Sequence, residues 1–589
     1  MKQILGSLIS QSLPKFLLVC CCLLISWVAS VRTGWCQSPP PEDPSSKPAP
    51  APSDDSSSAD PASIFPHSES SRYWISGQAN IVFQWHPAFN SPYQGPNSIT
   101  PESQSAMTHT FTPYTGFLGW VREAPTADPG PTTDATLSVG LETTAIPATQ
   151  STSGATEKGG NGPERIWNFH VQNTNVVQGY PAFPAQYSGP QSLPSVGEAR
   201  ETVSLDLMAG VRLWSGAEAH IDGLMWQGFG VNNVLGIEGF PSGEAYRIGT
   251  KVPNGTFARL FIRQTIGFGG EQEDVPDDQL TLAGKRDISR LTFTLGRFSA
   301  ADIFDTNAYA NDARTQFMNW TLVNDVAWDY PADVIGFDTG LAVELNQPKW
   351  TLRYGFFQVP SMQNSFTEDD QILTWPNNSS GHDEPFFRAW AMVWEFERRY
   401  SLNTHPGAIR FLAYLNRADM FSYSGAISIL RANGVGADVT AASAYRSKYG
   451  FELNWEQEIA KNIGMFSRLG WNDGQEEAWM FTDVDYTASL GLSFKGEAWH
   501  RPGDTFGLAG LANGISHVEK EFFEAGGLGI LAGDGNLNYG WEKILETYYD
   551  AAIWKTVHVA ADYQFIGDPA FNRARGPVSV FALRLHWQL

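Results

Sequence analysis

The chain has 589 residues, of which 39 are Lys or Arg and 62 are Asp or Glu, so its formal net charge is -23. That charge argues against a nucleic-acid partner, because phosphate binding requires clustered cations. Only 17% of the residues are charged while 13% are aromatic and 56 are glycine, which is typical of a β-rich protein with many turns and excludes a disordered chain.

The N-terminus is predicted to be a secretory signal peptide over residues 1–36. Lys2 and Lys15 precede an apolar run that ends near Val28, and cleavage sites lie after small residues near Ser30 or close to Cys36. All four cysteines fall in these 36 positions. Disulfides and thiolate metal sites are therefore not expected in the mature protein. No later apolar run approaches the roughly 20 residues of a membrane helix, which leaves a soluble protein or a β-barrel.

Residues 37–72 are rich in Pro, Ser and Ala and are predicted to form an extended linker. An internal duplication follows at a constant offset of 94 residues. Pro87-Ala88-Phe89 recurs as Pro181-Ala182-Phe183, and Tyr93 recurs as Tyr187. We expect a strand-loop-strand unit in each copy, with the first copy assigned to a segment at 73–160 and the barrel proper to 161–589.

Segments of about ten residues that alternate apolar with polar side chains predict β-strands with one apolar face. In the last of them Phe581, Leu583 and Leu585 share one face, opposite Ala582 and Arg584. Sixteen such strands are predicted, at 167–178, 202–214, 216–226, 256–269, 288–298, 334–346, 349–360, 386–398, 407–417, 448–458, 462–472, 487–498, 505–515, 542–553, 555–566 and 577–589.

The same alternation suits a soluble sandwich or a membrane barrel, and the ends of the strands favour the barrel. Trp and Tyr lie at the ends of apolar faces, with carboxylates or arginines opposite, as in aromatic girdles around a hydrated interior. Short connections such as 346–348 and 459–461 alternate with long ones such as 361–385. An even strand number with this alternation places both termini in the periplasm. The segment 270–287 is then an unusually long periplasmic turn.

Several long motifs resemble the carbohydrate-selective porins of OprB type, over about residues 167–589. They are GFPSGEAY at Gly239–Tyr246, RLFIRQT at Arg259–Thr265, DTNAYANDARTQFMN at Asp305–Asn319, AWDYPAD at Ala327–Asp333 and the final stretch RGPVSVFALRLH at Arg575–His586.

The resemblance implies an all-β fold, a transmembrane antiparallel β-barrel of sixteen strands in the outer membrane through which small sugars diffuse passively into the periplasm. The count becomes eighteen if the first copy of the duplicated hairpin joins the wall. The partners expected with it are small sugars, outer-membrane lipid and lipopolysaccharide, and the barrel assembly machinery; many porins are homotrimers, and no cofactor is expected. The chain departs from the pattern in its extra N-terminal copy and in ending on Leu589.

Charged side chains on the polar strand faces are candidates to line the channel, because charge inside a barrel requires water or a counter-charge. The long segment 299–333 mixes amides, acids and aromatic rings, a composition that suits sugar hydroxyls and C–H faces, and is expected to narrow the pore. The candidate lining and constriction residues are Arg259, Arg263, Arg290, Asp302, Asn307, Asn311, Asp312, Arg314, Glu344, Arg353, Glu395 and Glu452.

Two other classes of function remain open from the residues alone, a barrel hydrolase and a secreted sugar-binding β-protein. His220 with Asp222, and His558 with Asp562, share strand faces, but the sequence carries no nucleophile elbow, H-E-x-x-H or P-loop. Acidic runs at 271–278 and 368–370 lack the spacing of a calcium loop and are expected to be solvated. The sequence therefore predicts a channel rather than an enzyme.

Overall fold

The computed structural model shows how the predicted strands assemble. It describes residues 73–86, 88–93, 95, 98, 101, 104–117, 165–183, 185–245, 249–333, 335–360, 387–554 and 557–587. The predicted signal peptide and linker, residues 1–72, lie outside these ranges, as does the acidic run 368–370.

Twenty strands account for most of the described chain, and eighteen of them form one antiparallel sheet. The strands are β1 Tyr73–His86, β2 Gln104–Phe117, β3 Trp167–Tyr180, β4 Glu198–Trp214, β5 Ala217–Gly228, β6 Thr250–Gly267, β7 Gln272–Val275, β8 Gly284–Asp287, β9 Arg290–Phe298, β10 Asp338–Gln347, β11 Trp350–Gln358, β12 Trp390–Leu402, β13 His405–Phe421, β14 Ser443–Ala460, β15 Ile463–Asn472, β16 Tyr486–Lys495, β17 Thr505–Gly514, β18 Glu542–Trp554, β19 Val557–Gly567 and β20 Val578–Trp587.

The sheet closes on itself, because every strand from β1 to β6 and from β9 to β20 pairs with two neighbours. Sequential strands pair along the ring, β6 pairs with β9, and β20 pairs back to β1. Each of the sixteen predicted strands is present, and the duplicated hairpin adds β1 and β2 to the ring. The prediction of a transmembrane antiparallel barrel is confirmed, with eighteen strands among the described residues.

Polarity across the wall is inverted relative to that of a soluble protein. Leu260, Leu295 and Phe411 on the strands are 54%, 60% and 50% exposed, whereas Glu397 and Glu546 are 0% exposed. Apolar side chains thus face outward and ionisable ones face inward, the distribution that hydrocarbon outside and water inside require. Trp394 is 40% exposed, so it is not sandwiched between two stacked sheets.

Connections alternate between a short-turn side and a long-loop side of the barrel. Two-residue connections such as 348–349 and 403–404 lie on the first, and loops such as 299–337 and 515–541 on the second. The predicted long turn at 270–287 forms a hairpin of its own, in which β7 pairs with β8 outside the main sheet. Among the described residues, the long-loop side carries three α-helices, α1 Trp320–Val323, α2 Tyr423–Asn433 and α3 His517–Glu524.

Short 3₁₀ turns lie at Val231–Val234, Ala300–Asp302, Thr440–Ala442, Gly496–Trp499 and Pro569–Phe571. None of the helices in the described part of the chain has the length and apolarity to cross a membrane.

Candidate channel constriction

The loop between β9 and β10, residues 299–337, folds into the barrel. Its side chains Phe304, Phe317 and Leu322 are fully buried, as are Asn319 and Asp333. A polar chain can be buried in this way only if its backbone groups find partners. Inward-facing side chains of two separate parts of the wall supply them.

The first half of the loop is held by β12 and β14. The Asp305 amide donates to Glu395 Oε2 at 2.8 Å, and the Ala308 amide donates to Glu456 Oε2 at 2.7 Å. Asn307 Nδ2 donates to Asn454 Oδ1 at 2.8 Å. Asn454 and Glu456 are two residues apart on β14, a spacing that points both side chains to the same face of the sheet.

The second half is held by β18 and β20. The amides of Met318 and Asn319 donate to the two oxygens of Glu546, at 2.5 and 3.0 Å. Arg584 Nη1 donates to the carbonyl oxygens of Ala313 and Gln316, at 2.7 and 2.9 Å. Since β12 and β14 are separated from β18 and β20 by several strands, the loop crosses the lumen from one part of the wall to another.

Asp305 is the most heavily bonded residue of the loop. Arg468 on β15 donates from Nε to Asp305 Oδ1 at 2.7 Å, from Nη2 to the Asp305 carbonyl at 3.0 Å, and from Nη1 to the Leu322 carbonyl at 2.7 Å. The Glu452 carboxylate lies 3.9 Å from Arg468 Nε. One buried guanidinium therefore fixes two distant points of the loop.

Next to the loop, side chains of alternating charge on neighbouring strands form a row across the wall. Arg353 lies between Glu344 at 3.1 Å, Glu395 at 2.5 Å and Glu397 at 3.0 Å. Arg410 extends the row to Glu397 at 3.0 Å and, on β14, to Glu456 at 3.1 Å. Arg353 is directly opposite Glu395 and Glu344 in the strand register, so it pairs with them laterally along one part of the wall.

Arg259 anchors the beginning of the loop. Its guanidinium donates to both carboxylate oxygens of Asp302, at 2.9 and 2.8 Å, and to Asp222 Oδ2 at 2.8 Å. It also lies over the ring of Phe337, 4.8 Å from the centroid, at the other end of the same loop. A bidentate Arg–carboxylate pair is geometrically specific, so Arg259 fixes where the loop leaves the wall.

Two of the predicted lining residues belong to the short-turn side. Arg263 pairs with Glu218 at 3.1 Å and donates to the Leu280 carbonyl at 2.8 Å. Arg290 lies 3.0 Å from Glu273 and donates to the Asp287 carbonyl at 3.1 Å. They bind the β7–β8 segment, and the structure places them with that segment and not with loop 299–337.

The polar residues in the middle of the loop mainly shape the loop itself. Asn311 Oδ1 accepts from the Asn307 amide at 3.2 Å, and Asp312 Oδ2 accepts from Thr315 Oγ1 at 2.7 Å. Arg314 Nε reaches Glu244 Oε1, on the β5–β6 loop, at 2.9 Å. Arg314 therefore joins two inward-folded loops.

The aromatic rings of Trp320, Phe240 and Phe481 pack together at the centre of the site. Trp320 packs against four separate apolar clusters of the barrel interior, yet remains partly exposed. Its ring stacks on Phe240 at 5.1 Å between centroids and lies 5.8 Å from the ring of Phe481. Partly exposed rings held rigidly in this way offer flat apolar surfaces to a passing molecule.

Several residues of the site were absent from the sequence-based set, namely Trp320, Asp305, Glu397, Arg410, Glu456, Arg468, Glu546 and Arg584. Alternation within the predicted strands already placed the charged strand residues on polar faces, so applying the rule to every strand would have found them. Asp305 and Trp320 carry no periodic signal, because both lie in the connection between β9 and β10.

The two His–Asp pairs considered for catalysis are not formed. His220 lies 3.5 Å from Glu218 and stacks on Phe261, whereas Asp222 binds Arg259. His558 Nδ1 lies 2.6 Å from Asp550 Oδ2 and not beside Asp562.

A buried carboxyl on the long-loop side should make stability depend on pH. Glu477 accepts from the Phe421 amide at 2.9 Å. Burial raises the pKa of Glu477 to about 8, an effect reinforced by Asp329 and Asp483 and opposed by Lys448. Between pH of about 4.3 and 8, the Glu477 carboxyl thus binds a proton more readily in the folded protein than in the unfolded chain. Its contribution to the free energy of unfolding therefore falls as pH rises through that window.

We therefore expect the Glu477→Gln variant to lose less thermal stability than the parent protein between pH 5 and pH 9. Heat-modifiable mobility on a gel at each pH measures the difference. Glu521→Gln, on the exposed face of α3, is the matched control and should follow the parent curve. Parallel curves for Glu477→Gln and the parent protein would contradict this prediction.

Comparison with known proteins gives one family and a set of barrels. The family described as carbohydrate-selective porin, OprB family, matches residues 191–589. No curated protein matches the chain. A high-pH structure of OprB from Pseudomonas putida is similar at 17% identity and a TM-score of 0.52, covering 72% of this chain and 94% of that one.

Two Pseudomonas aeruginosa barrels match more of this chain than the OprB structure does, but with lower TM-scores. OccK5 (OpdH) has 8% identity and a TM-score of 0.38, with 87% of this chain and 97% of that chain covered. OccK2 (OpdF) has 9% identity and a TM-score of 0.39, with 88% and 97% covered.

Proposed function

Because this chain belongs to the OprB family of carbohydrate-selective porins, we propose that loop 299–337 is the constriction at which it selects sugars. The protein is an outer-membrane porin, not an enzyme, and small sugars diffuse through it passively into the periplasm. The observation that carries the proposal is the attachment of one inward-folded loop both to Glu395 and Glu456 and to Glu546 and Arg584.

Paired charges suit the passage of neutral solutes. Arg353 and Arg410 are buried and each is shared between carboxylates, so the wall behind the loop carries no large free charge of one sign. A sugar's C–H face can lie on Trp320, which is partly exposed. Contacts of this kind are individually weak, and conduction requires binding weak enough for exit.

Liposome swelling with sugars of increasing size tests the proposed function. We expect monosaccharides to enter quickly and longer oligosaccharides to be excluded at a sharp size limit. Equal entry of all sizes would show that loop 299–337 does not narrow the pore, and no entry of any sugar would contradict the proposal altogether.

Arg259 should influence ion preference through the two acids it neutralises. Replacing it with alanine leaves Asp222 and Asp302 without their shared cation, so the beginning of the loop becomes more negative. We expect the Arg259→Ala channel to become more cation-selective, measured as a shift of reversal potential in a KCl gradient. The exposed variant Arg431→Ala is the control. An unchanged reversal potential would remove Arg259 from the conducting path.

We also propose the partners that a channel of this class requires. The outward apolar side chains, among them Leu260, Leu295 and Phe411, fit outer-membrane lipid and the acyl chains of lipopolysaccharide. Insertion through the barrel assembly machinery and assembly as a homotrimer complete the proposal, and crosslinking of the native membrane followed by mass determination tests the oligomer.

A further inference from the structure

The connection between β6 and β9 is long for the short-turn side of the barrel. Residues 270–287, here called the exit hairpin, contain β7 and β8, whereas the connections 348–349 and 403–404 have two residues each. The exit hairpin carries six acids and two cations, Lys285 and Arg286. Because the short turns of such a barrel face the periplasm, the hairpin lies where a solute leaves the channel.

The tip of the exit hairpin turns inward and lies on the inner face of the wall. Leu282 is 2% exposed, and Leu280 packs against the apolar cluster of the barrel interior that contains Phe261 and Phe304. Phe261 belongs to β6 and Phe304 to loop 299–337. The hairpin therefore packs against the same apolar cluster as the loop proposed to select sugars.

Asn168 on β3 binds the tip far from the point where the hairpin begins. Its Nδ2 donates to the carbonyl oxygens of Asp278 and Thr281, at 2.9 and 3.1 Å. The hairpin leaves the wall between β6 and β9, and β3 is the third strand from β6 in the order β6, β5, β4, β3. Since neighbouring strands are about 4.8 Å apart, the hairpin spans roughly 15 Å of the inner wall.

Arginines of the wall hold the hairpin at its far end. Arg165, just before β3, pairs with Asp277 at 2.6 Å, and the Arg165 amide donates to the Ala283 carbonyl at 3.0 Å. Arg212 on β4 donates from Nε to the Arg165 carbonyl at 3.1 Å and so fixes the segment that carries Arg165.

Two further arginines hold the hairpin near its base. Arg263 on β6 donates to the Leu280 carbonyl at 2.8 Å and pairs with Glu218 on β5 at 3.1 Å. Arg290 at the start of β9 lies 3.0 Å from Glu273. Acids and carbonyl oxygens of one hairpin thus meet arginines at the ends of several neighbouring strands.

We propose that the exit hairpin is a second constriction, in series with loop 299–337, and that Asp277 and Glu273 neutralise the arginines of the wall there, so that anionic sugars are not retained at the exit. Without those acids, Arg165 and Arg290 would present guanidinium groups suited to bind carboxylate or phosphate. Conduction requires binding weak enough for a solute to leave, and paired charges keep it weak.

Neutralising substitutions in pairs test the electrostatic role. Glu273→Gln with Asp277→Asn removes the two acids that pair with arginines of the wall. Glu271→Gln with Asp274→Asn removes the same charge from exposed positions of the same hairpin and is the matched control. We expect the first pair to shift the reversal potential in a KCl gradient toward anion selectivity, and the control pair to shift it far less. Equal shifts in the two pairs, or none in the first, would overturn this role.

Removal of residues 271–287 tests the narrowing of the exit. The Phe268 amide donates to the Ser289 carbonyl at 2.9 Å, so joining Gly270 to Ile288 leaves a three-residue turn, a usual length for a hairpin. In protein with heat-modifiable mobility, we expect a higher single-channel conductance and a reversal potential shifted toward anion selectivity. An unchanged conductance would show that the exit hairpin does not narrow the channel.

Thiol modification decides the same question if the shortened chain does not fold. In a Cys36→Ser background, Gln279→Cys places a thiol at the tip of the hairpin, and Ser401→Cys, exposed near the short turn 403–404, is the control. A bulky thiosulfonate reagent added from the periplasmic side should reduce the current through Gln279→Cys and not through Ser401→Cys. Complete labelling of Gln279→Cys with unchanged current would overturn the second constriction. These tests require only an ion current in the parent protein, so they stay decisive even if loop 299–337 does not select sugars.

Discussion

The Arg468→Met channel is expected to conduct several times more current than the parent protein and to admit longer oligosaccharides. Arg468 donates three hydrogen bonds to loop 299–337, two to Asp305 and one to the Leu322 carbonyl. Methionine fills a similar volume and makes none of them. Removing one member of a buried ion pair costs about 3–5 kcal/mol, because the remaining charge stays buried without a partner.

The loop can avoid that cost by moving Asp305 into water, which means leaving the wall and widening the lumen. Single-channel recording in planar bilayers measures the conductance, and liposome swelling measures the size limit. Arg431→Met is the control, because Arg431 belongs to an exposed ion pair on α2 with Glu521. Unchanged conductance in folded Arg468→Met protein would show that this arginine does not hold the constriction.

The Trp320→Ala channel is expected to lose sugar affinity by about tenfold while it keeps its ion current. Trp320 offers the partly exposed ring at the centre of the site, stacked on Phe240 and near Phe481. Aromatic contacts contribute about 0.5–1.5 kcal/mol each, and 1.4 kcal/mol corresponds to about a factor of ten.

Block of ion current by added sugar gives the half-saturating concentration for each variant. Trp499→Ala is the matched control, since Trp499 is partly exposed too but lies at the short-turn connection between β16 and β17 and donates to Tyr549. A half-saturating concentration that moves equally in both variants, or in neither, would remove Trp320 from the sugar path.

The strands of this barrel could be predicted because their signal is local. Each wall residue faces either lipid or lumen, so alternation along one segment suffices, as Trp394, Glu395 and Phe396 show. The strand ends were less predictable. β13 runs to Phe421 and β14 begins at Ser443, both beyond the predicted limits, because pairing continues past the apolar band.

The path of loop 299–337 could not be predicted, because its partners are remote in sequence. Asp305 meets Arg468, and Asn319 meets Glu546, through strand positions that only the closed sheet brings together. The same holds for Arg353, whose lateral pairing with Glu395 depends on the register of β11 and β12. The duplication was evident from the sequence, but the attachment of the second copy to Arg575 was not.

Thiol modification of loop 299–337 tests the central claim most directly, because it leaves the loop in place. Ala308 is exposed although the residues before it are buried, so Ala308→Cys presents a thiol on the loop's open surface. Ser424→Cys, exposed on α2, is the control. With a bulky charged thiosulfonate reagent, the current through Ala308→Cys should fall sharply and the current through Ser424→Cys should not. Complete labelling of Ala308→Cys with no change in current would contradict a constriction formed by this loop.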